Sequence, residues 1–208
     1  MNKLTVILIP FVILLFSFTI VLKDVNFYKK ELASNKVAEN LNLTEADKGT
    51  LENEIADIIS YLTGKKDALD SSFFGEQEKI HMQDVKRLVN IFIKITYVLI
   101  AIVILLLIFG KERARTLRIA GITSLIVYIT AGLIFLNFDY FFVKFHQLVF
   151  TNDLWLFPAD SPIVKIFPQQ FFVDFFEQVL IYSFVAAALI TILGFILKKF
   201  KKTEEVPS

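Results

Sequence analysis

Ala101-Ile102-Val103-Ile104-Leu105-Leu106-Leu107-Ile108 is an unbroken apolar run. Extended outward, the apolar stretch begins at about Leu88 and closes at Gly110, with Lys94 as its only charge. That length meets the roughly 20 residues needed to cross a hydrocarbon core. No water is available there to satisfy peptide groups, so such a stretch must be helical. Three further stretches behave alike: 4–22, 119–136 and 179–197. The first is too long for a typical signal-peptide core. Its exit, Phe18-Thr19-Ile20-Val21-Leu22-Lys23, offers no small-x-small cleavage site, so it reads as an uncleaved anchor. Short alternating segments of the kind that build a β-barrel do not occur. The expected fold class is all-α: a polytopic integral membrane protein with four transmembrane helices, read as one membrane domain over residues 1–208.

Short-loop Lys and Arg set the orientation. Lys111, Arg113, Arg115 and Arg118 fill the link 111–118, and Lys198, Lys199, Lys201 and Lys202 open the tail 198–208. Both clusters hug span ends, which predicts both as cytoplasmic and, with an even number of spans, both termini inside. Two structured extracytoplasmic loops, 23–87 and 137–178, then lie outside. The first is also basic, but it is long and balanced by acids, and long loops translocate largely regardless of charge. Both loops then meet the outer leaflet of the membrane.

Composition narrows the function. Of 208 residues, 55% are hydrophobic and 23 are Phe, while the net charge of +1 gives no field for nucleic acid. The absence of cysteine removes thiol nucleophiles, disulfides and thiolate metal sites. No phosphate-cradling glycine loop, His-Glu-x-x-His pair or nucleophile elbow occurs.

The outer segments carry local signals. Thr44 with Asp47 three residues on is a helix start; Leu51, Ile55, Ile58, Ile59 and Leu62 then recur at helical spacing, and Gly64 fits a left-handed C-cap. This predicts an amphipathic helix over Glu45–Leu62. A second helix is expected to start near Gly75 and run into the span at Leu88. In the second loop, Asn137–Gln147 and Leu154–Pro158 are crowded with Phe, Tyr and Trp. Those residues favour the membrane interface, so this loop is expected in the outer leaflet. Asp160-Ser161-Pro162 predicts a capped short helix that ends before Pro168.

The candidate chemistry rests on His81 and His146, the only histidines. A lone interfacial histidine is commonly an amphipathic filler. Here each is close to a carboxylate, and both are expected at similar depth on the same side. Glu78, His81 and Asp84 fall at i, i+3, i+6 on one helix face, so either acid is placed to orient the imidazole. The plain alternative is a solvated helix face. Lys94 near a span end reads as a snorkelling lysine, and Thr123 and Ser124 as helix-packing residues.

Glu78-x-x-His81-Met82-x-Asp84-Val85-Lys86, Phe145-His146, Trp155-Leu156 and Phe167-Pro168-x-x-Phe171-Phe172, with Ile59-x-Tyr61-Leu62-x-Gly64, resemble the bacterial lipoprotein intramolecular transacylase (Lit) family. The resemblance covers nearly the whole chain. It implies an acyltransferase that needs no cofactor and no metal. Its substrate is a diacylated lipoprotein, whose sn-2 acyl chain moves from glycerol to the α-amino group of the N-terminal cysteine. On this reading His146 and His81 are the catalytic pair. Asp84, Glu78 and Tyr61 support them, and Phe145, Trp155, Phe171 and Phe172 face substrate or lipid. Two other classes stay open: a non-enzymatic assembly factor or sensor, and a metal-dependent membrane hydrolase.

Overall fold

The computed structural model describes residues 2–44 and 47–204, with side chains as far as Phe200. The described residues form helices α1 (Lys3–Lys23), α2 (Val25–Ser34), α3 (Val37–Asn40), α4 (Lys48–Leu62), α5 (Glu76–Ile108), α6 (Arg113–Ile134), α7 (Phe138–Val149), α8 (Pro162–Ile166) and α9 (Gln169–Glu204). Four helical stretches are long and apolar enough to cross a membrane: Lys3–Lys23, Glu76–Ile108, Arg113–Val149 and Gln169–Phe200. Their apolar parts are the four stretches legible in the sequence. The polar first turns of α5, and α7 beyond the 3-10 turn Phe135–Asn137, lie outside those parts.

The chain forms two compact units. One comprises α1 as far as Phe18, α5 from Ile93, α6, and α9 from Glu177. Its core is Ile9, Ile13, Val103, Leu117, Ala120, Tyr128 and Ala187. The buried Tyr128 hydroxyl donates to the Pro10 carbonyl at 2.7 Å, because a phenol in an apolar interior must find an acceptor. Small residues let α6 and α9 approach closely. A Cβ on Gly121 would meet the Thr191 hydroxyl at 2.1 Å, and one on Gly194 would meet Arg118 Cγ at 2.6 Å. Ile7, Phe11, Leu105, Ile126, Val185 and Leu189 are exposed on these helices, an outer surface made for lipid rather than water.

The other unit holds Thr19–Phe92 and Asn137–Phe176. Asp24 caps α2 by accepting from the N–H groups of Asn26 and Phe27 at 3.0 and 3.3 Å. Helix α4 buries Leu51, Ile55, Ile58, Ile59 and Leu62, the face expected from their spacing. At its start, Asp47 accepts from the Thr44 N–H and hydroxyl at 3.0 and 2.5 Å; Glu45, the expected first residue, lies outside the described residues. At its end, Gly64 has φ +78°, Lys65 N–H reaches the Ser60 carbonyl and Gly64 N–H the Tyr61 carbonyl. Both bonds of a Schellman cap are therefore made. Asn90 of α5 adds a third by donating to the Leu62 carbonyl at 3.0 Å.

Candidate active site

Both histidines lie in this second unit, each held by a local pattern. Helix α7 places Phe138, Phe142 and His146 at i, i+4 and i+8, on one face. His146 sits in the last turn, and its Nδ1 lies 2.7 Å from the Phe142 carbonyl. Only an N–H can satisfy that carbonyl, so the proton is on Nδ1 and Nε2 is left as a base. A helix C-terminus also favours the charge that forms when Nε2 takes a proton.

Helix α5 places His81 one turn and a half inside its N-terminus. The two rings stack with centroids 6.3 Å apart and planes 27° apart. Aromatic residues wall the pair. Around His146 stand Phe142 (4.3 Å), Trp155 (4.9 Å), Phe145 (5.5 Å) and Phe150 (5.5 Å). Phe150 also meets His81 at 5.1 Å, and Phe157 meets it at 5.5 Å. His81 is 7% exposed, and its Nδ1 is buried with no hydrogen-bond partner among the described residues. A lone pair left unpartnered costs less there than an orphaned N–H, which puts the proton of His81 on Nε2. One imidazole is therefore poised to accept a proton and the other to donate a hydrogen bond.

Burial lowers the basicity of both rings, because charge is disfavoured away from water. His81 is pushed down to about 4, first by burial and then by His146, with Asp84 opposing. His146 is lowered by burial and partly restored by its bond to Phe142. A positive charge on His146 thus opposes one on His81.

The supporting residues divide. Asp84 is close enough to act on the charge of His81, and its carboxylate accepts from the Asn152 side chain at 3.0 Å. Arg87 approaches it at 3.6 Å from an exposed position and contributes little. Glu78 has a different task from the one its spacing implied. One carboxylate oxygen accepts from the Gly75 N–H at 2.6 Å, closing the N-terminus of α5; the other accepts from the Ile163 N–H at 2.9 Å, closing that of α8. It joins two helix starts, and neither oxygen is spent on His81. Ser161 does not close α8 as expected: its hydroxyl turns back to the Pro158 carbonyl at 2.8 Å.

Tyr61 lies apart from the histidines. It lines an open cleft of about 320 Å³ with Glu76, Lys79 and Gln83, and its ring sits under the Lys86 ammonium at 4.2 Å. Those α5 positions share a face that His81, two residues from each of Lys79 and Gln83, cannot occupy. Burial raises the pKa of its phenol, keeping it protonated. Phe145 and Trp155 are at the imidazoles, and Phe172 touches Phe142 at 5.2 Å. Phe171 faces neither lipid nor the histidines. It is 6% exposed, packed among Phe27, Tyr28 and Phe175. Sequence reasoning passed over Phe142, Phe150, Phe157 and Asn152. The spacing of Phe138, Phe142 and His146 would have revealed the first; the others come from tertiary structure alone.

The sequence model of the family described as "Lipoprotein intramolecular transacylase Lit" matches residues 3–172. The chain belongs to the Lit family. An uncharacterised protein of Aquifex aeolicus (strain VF5) is 32% identical over 130 residues, which is 62% of this chain; the chain spans 60% of that relative's length. Among solved structures, the membrane-integral Lit of Bacillus cereus matches with a TM-score of 0.85 at 24% identity, over 97% of each chain. A variant of the same protein with a histidine replaced by arginine matches at a TM-score of 0.77 and 22% identity, over 98% of this chain and 94% of that one. At these identities the likeness to the solved structures is one of fold.

Proposed function

We propose that this chain transfers an acyl chain within a membrane-anchored lipoprotein, from the sn-2 oxygen of its diacylglyceryl group to the α-amino group of its N-terminal cysteine. Membership of the Lit family supports the reaction class. The observation that carries the mechanism is the stacked pair of imidazoles with complementary tautomers inside an aromatic wall.

The geometry supports the following step. An α-amine with a pKa near 8 is largely protonated at neutral pH, so a base must free its lone pair. His146 Nε2 accepts that proton and hands it to water. The freed amine attacks the ester carbonyl; the resulting oxyanion accepts a hydrogen bond from the His81 Nε2–H, and the second proton of the attacking nitrogen passes to His146 Nε2. Collapse breaks the bond to the glycerol oxygen, which takes that proton from His146. An ester has become an amide, both histidines return to their starting forms, and no cofactor enters the balance. Donor and acceptor share one molecule, so proximity lowers the barrier further.

The reaction sits at the outer leaflet, with both termini cytoplasmic, on this reading. The basic clusters flanking α6 and following the apolar part of α9 support that orientation. The apolar side chains Tyr140, Phe141, Val143, Phe145 and Leu148 exposed along α7 suit the hydrocarbon boundary, and Lys144 suits headgroups. The partners are diacylated lipoproteins and membrane lipid.

Tandem mass spectrometry of a reporter lipoprotein's N-terminal lipopeptide tests this, in cells lacking any other N-acylating enzyme. Intact mass is unchanged by an internal shift, so the fragments must locate the chain. An N-acyl fragment that appears only with this protein is the expected result. A free α-amine in both samples, with the protein present in the membrane, overturns the proposal.

A further inference from the structure

Residues 150–158 between α7 and α8 have no regular structure, yet they supply Phe150, Trp155 and Phe157 to the wall around both imidazoles. Such a segment lacks ladder hydrogen bonds, so side chains must hold its backbone. Four side-chain hydrogen bonds do so. The Asn152 side chain donates from Nδ2 to Asp84 Oδ2 at 3.0 Å. Its Oδ1 accepts from the Leu154 N–H at 3.0 Å. Gln77 Nε2 donates to the Leu154 and Leu156 carbonyls, each at 3.2 Å. The orientation of the Asn152 amide is unambiguous: a carboxylate takes only a donor, and an N–H takes only an acceptor. Asp84 lies three residues beyond His81 on α5, so the tie lands beside the buried imidazole.

We propose that Asn152 is a positioning residue for acyl transfer: it fastens the aromatic segment to α5 and holds the Asp84 carboxylate toward His81. Gln77 is a second, more exposed tie for the same segment. Asn152 touches no reacting atom. It sets where Trp155 and Phe157 stand relative to the imidazoles, and it holds one oxygen of Asp84 while Arg87 approaches the other. The inference rests on the transacylase reading and adds a determinant of its geometry.

The test uses the purified full chain in detergent with a synthetic diacylated lipopeptide. Fragment-resolved mass spectrometry follows the N-acyl product to give kcat and KM across pH. In Asn152→Ala, kcat per folded enzyme should fall roughly ten- to hundredfold, the scale of a small misplacement at a reacting centre, with KM little changed. Asn152→Asp sets two carboxylates face to face and should fall at least as far. Combining Asn152→Asp with Asp84→Asn restores an amide–carboxylate bond with the donor reversed, and should recover activity above that of Asn152→Asp alone. Wild-type kcat in Asn152→Ala overturns the inference. So does a loss explained wholly by less folded protein, or a double variant no better than Asn152→Asp. If the wild-type chain itself yields no N-acyl product, the transacylase reading fails instead, a separate and visible outcome.

Discussion

Replacing Glu78 by Gln keeps the size of the side chain and removes one acceptor. The carboxylate is 5% exposed and receives two backbone N–H groups, from Gly75 and Ile163. A hydrogen bond to a charged group contributes about 1.5–3 kcal/mol, and a buried N–H stripped of its partner costs about 1–3 kcal/mol. Gln offers a single oxygen, so one N–H keeps its bond and the other faces an NH₂ group. The expected loss is about 2–3 kcal/mol for Glu78→Gln, and about 4 kcal/mol for Glu78→Ala, which frees both N–H groups. At roughly 2–4 °C per kcal/mol for a chain of this size, the melting temperature should drop by roughly 5–10 °C. Trp155, the only tryptophan, lies tilted against His146, so its fluorescence follows unfolding from within the site. Wild-type melting with impaired acyl transfer would refute this account; it would mean that Glu78 works on the chemistry of His81 and not as a clasp between two helix starts.

Four further outcomes are expected. His146→Ala and His81→Ala should each lower acyl transfer by about 10²–10⁴-fold, the range for a general acid or base, while the protein still accumulates in the membrane; full activity in both would sink the two-histidine mechanism. Because burial lowers His146, kcat/KM should hold below pH 6.5 before its acid limb begins, and a limb at or above the free-imidazole value would contradict the buried geometry. Glu31 is pushed up to about 7, mainly by burial and then by its bond to Asp174, so its folded form holds a proton that the unfolded chain has lost; its contribution is present below 4.5 and fades as pH rises through 7. Glu31→Gln should flatten the fall of melting temperature between pH 5 and 7, and an unchanged slope would remove Glu31 as the cause. Gly121→Val should prevent the α6–α9 approach and leave little folded protein, since its Cβ would overlap the Thr191 hydroxyl; normal yield and melting would show that these helices can part without cost.

The spans were legible because their signal is length and polarity, which no tertiary contact overrides. Helix α4 was legible because Thr44, the i, i+3/i+4 apolar face and Gly64 all agree. Helix α7 was masked by its own composition: so many aromatic residues read as an interfacial loop, although Phe138, Phe142 and His146 kept a helical period. Glu78 shows the limit of spacing arguments. Three residues from His81, it is equally three residues from Gly75, and the capping relation is the one realised. Its second bond, to Ile163, joins residues 85 apart, and no local pattern announces that. Depth and side left the pairing of His81 with His146 open, and the family resemblance is what implied it. The hydrogen bond that assigns the tautomer of His146, and the unpartnered Nδ1 that assigns that of His81, come from the folded structure alone.

The rings around His146 have a consequence for the fate of the acyl chain. A general base beside an ester is an invitation to hydrolysis, since water is the most abundant nucleophile near any membrane surface. Phe142, Phe145, Phe150 and Trp155 leave that imidazole few approaches, and His81 beside it is shielded from bulk water. On the proposed reaction, catalysis is thereby reserved for an amine that arrives on the same molecule as the ester. The wall would then make that reaction a conservative exchange, in which the lipoprotein keeps both its chains, rather than a deacylation that sheds one as fatty acid.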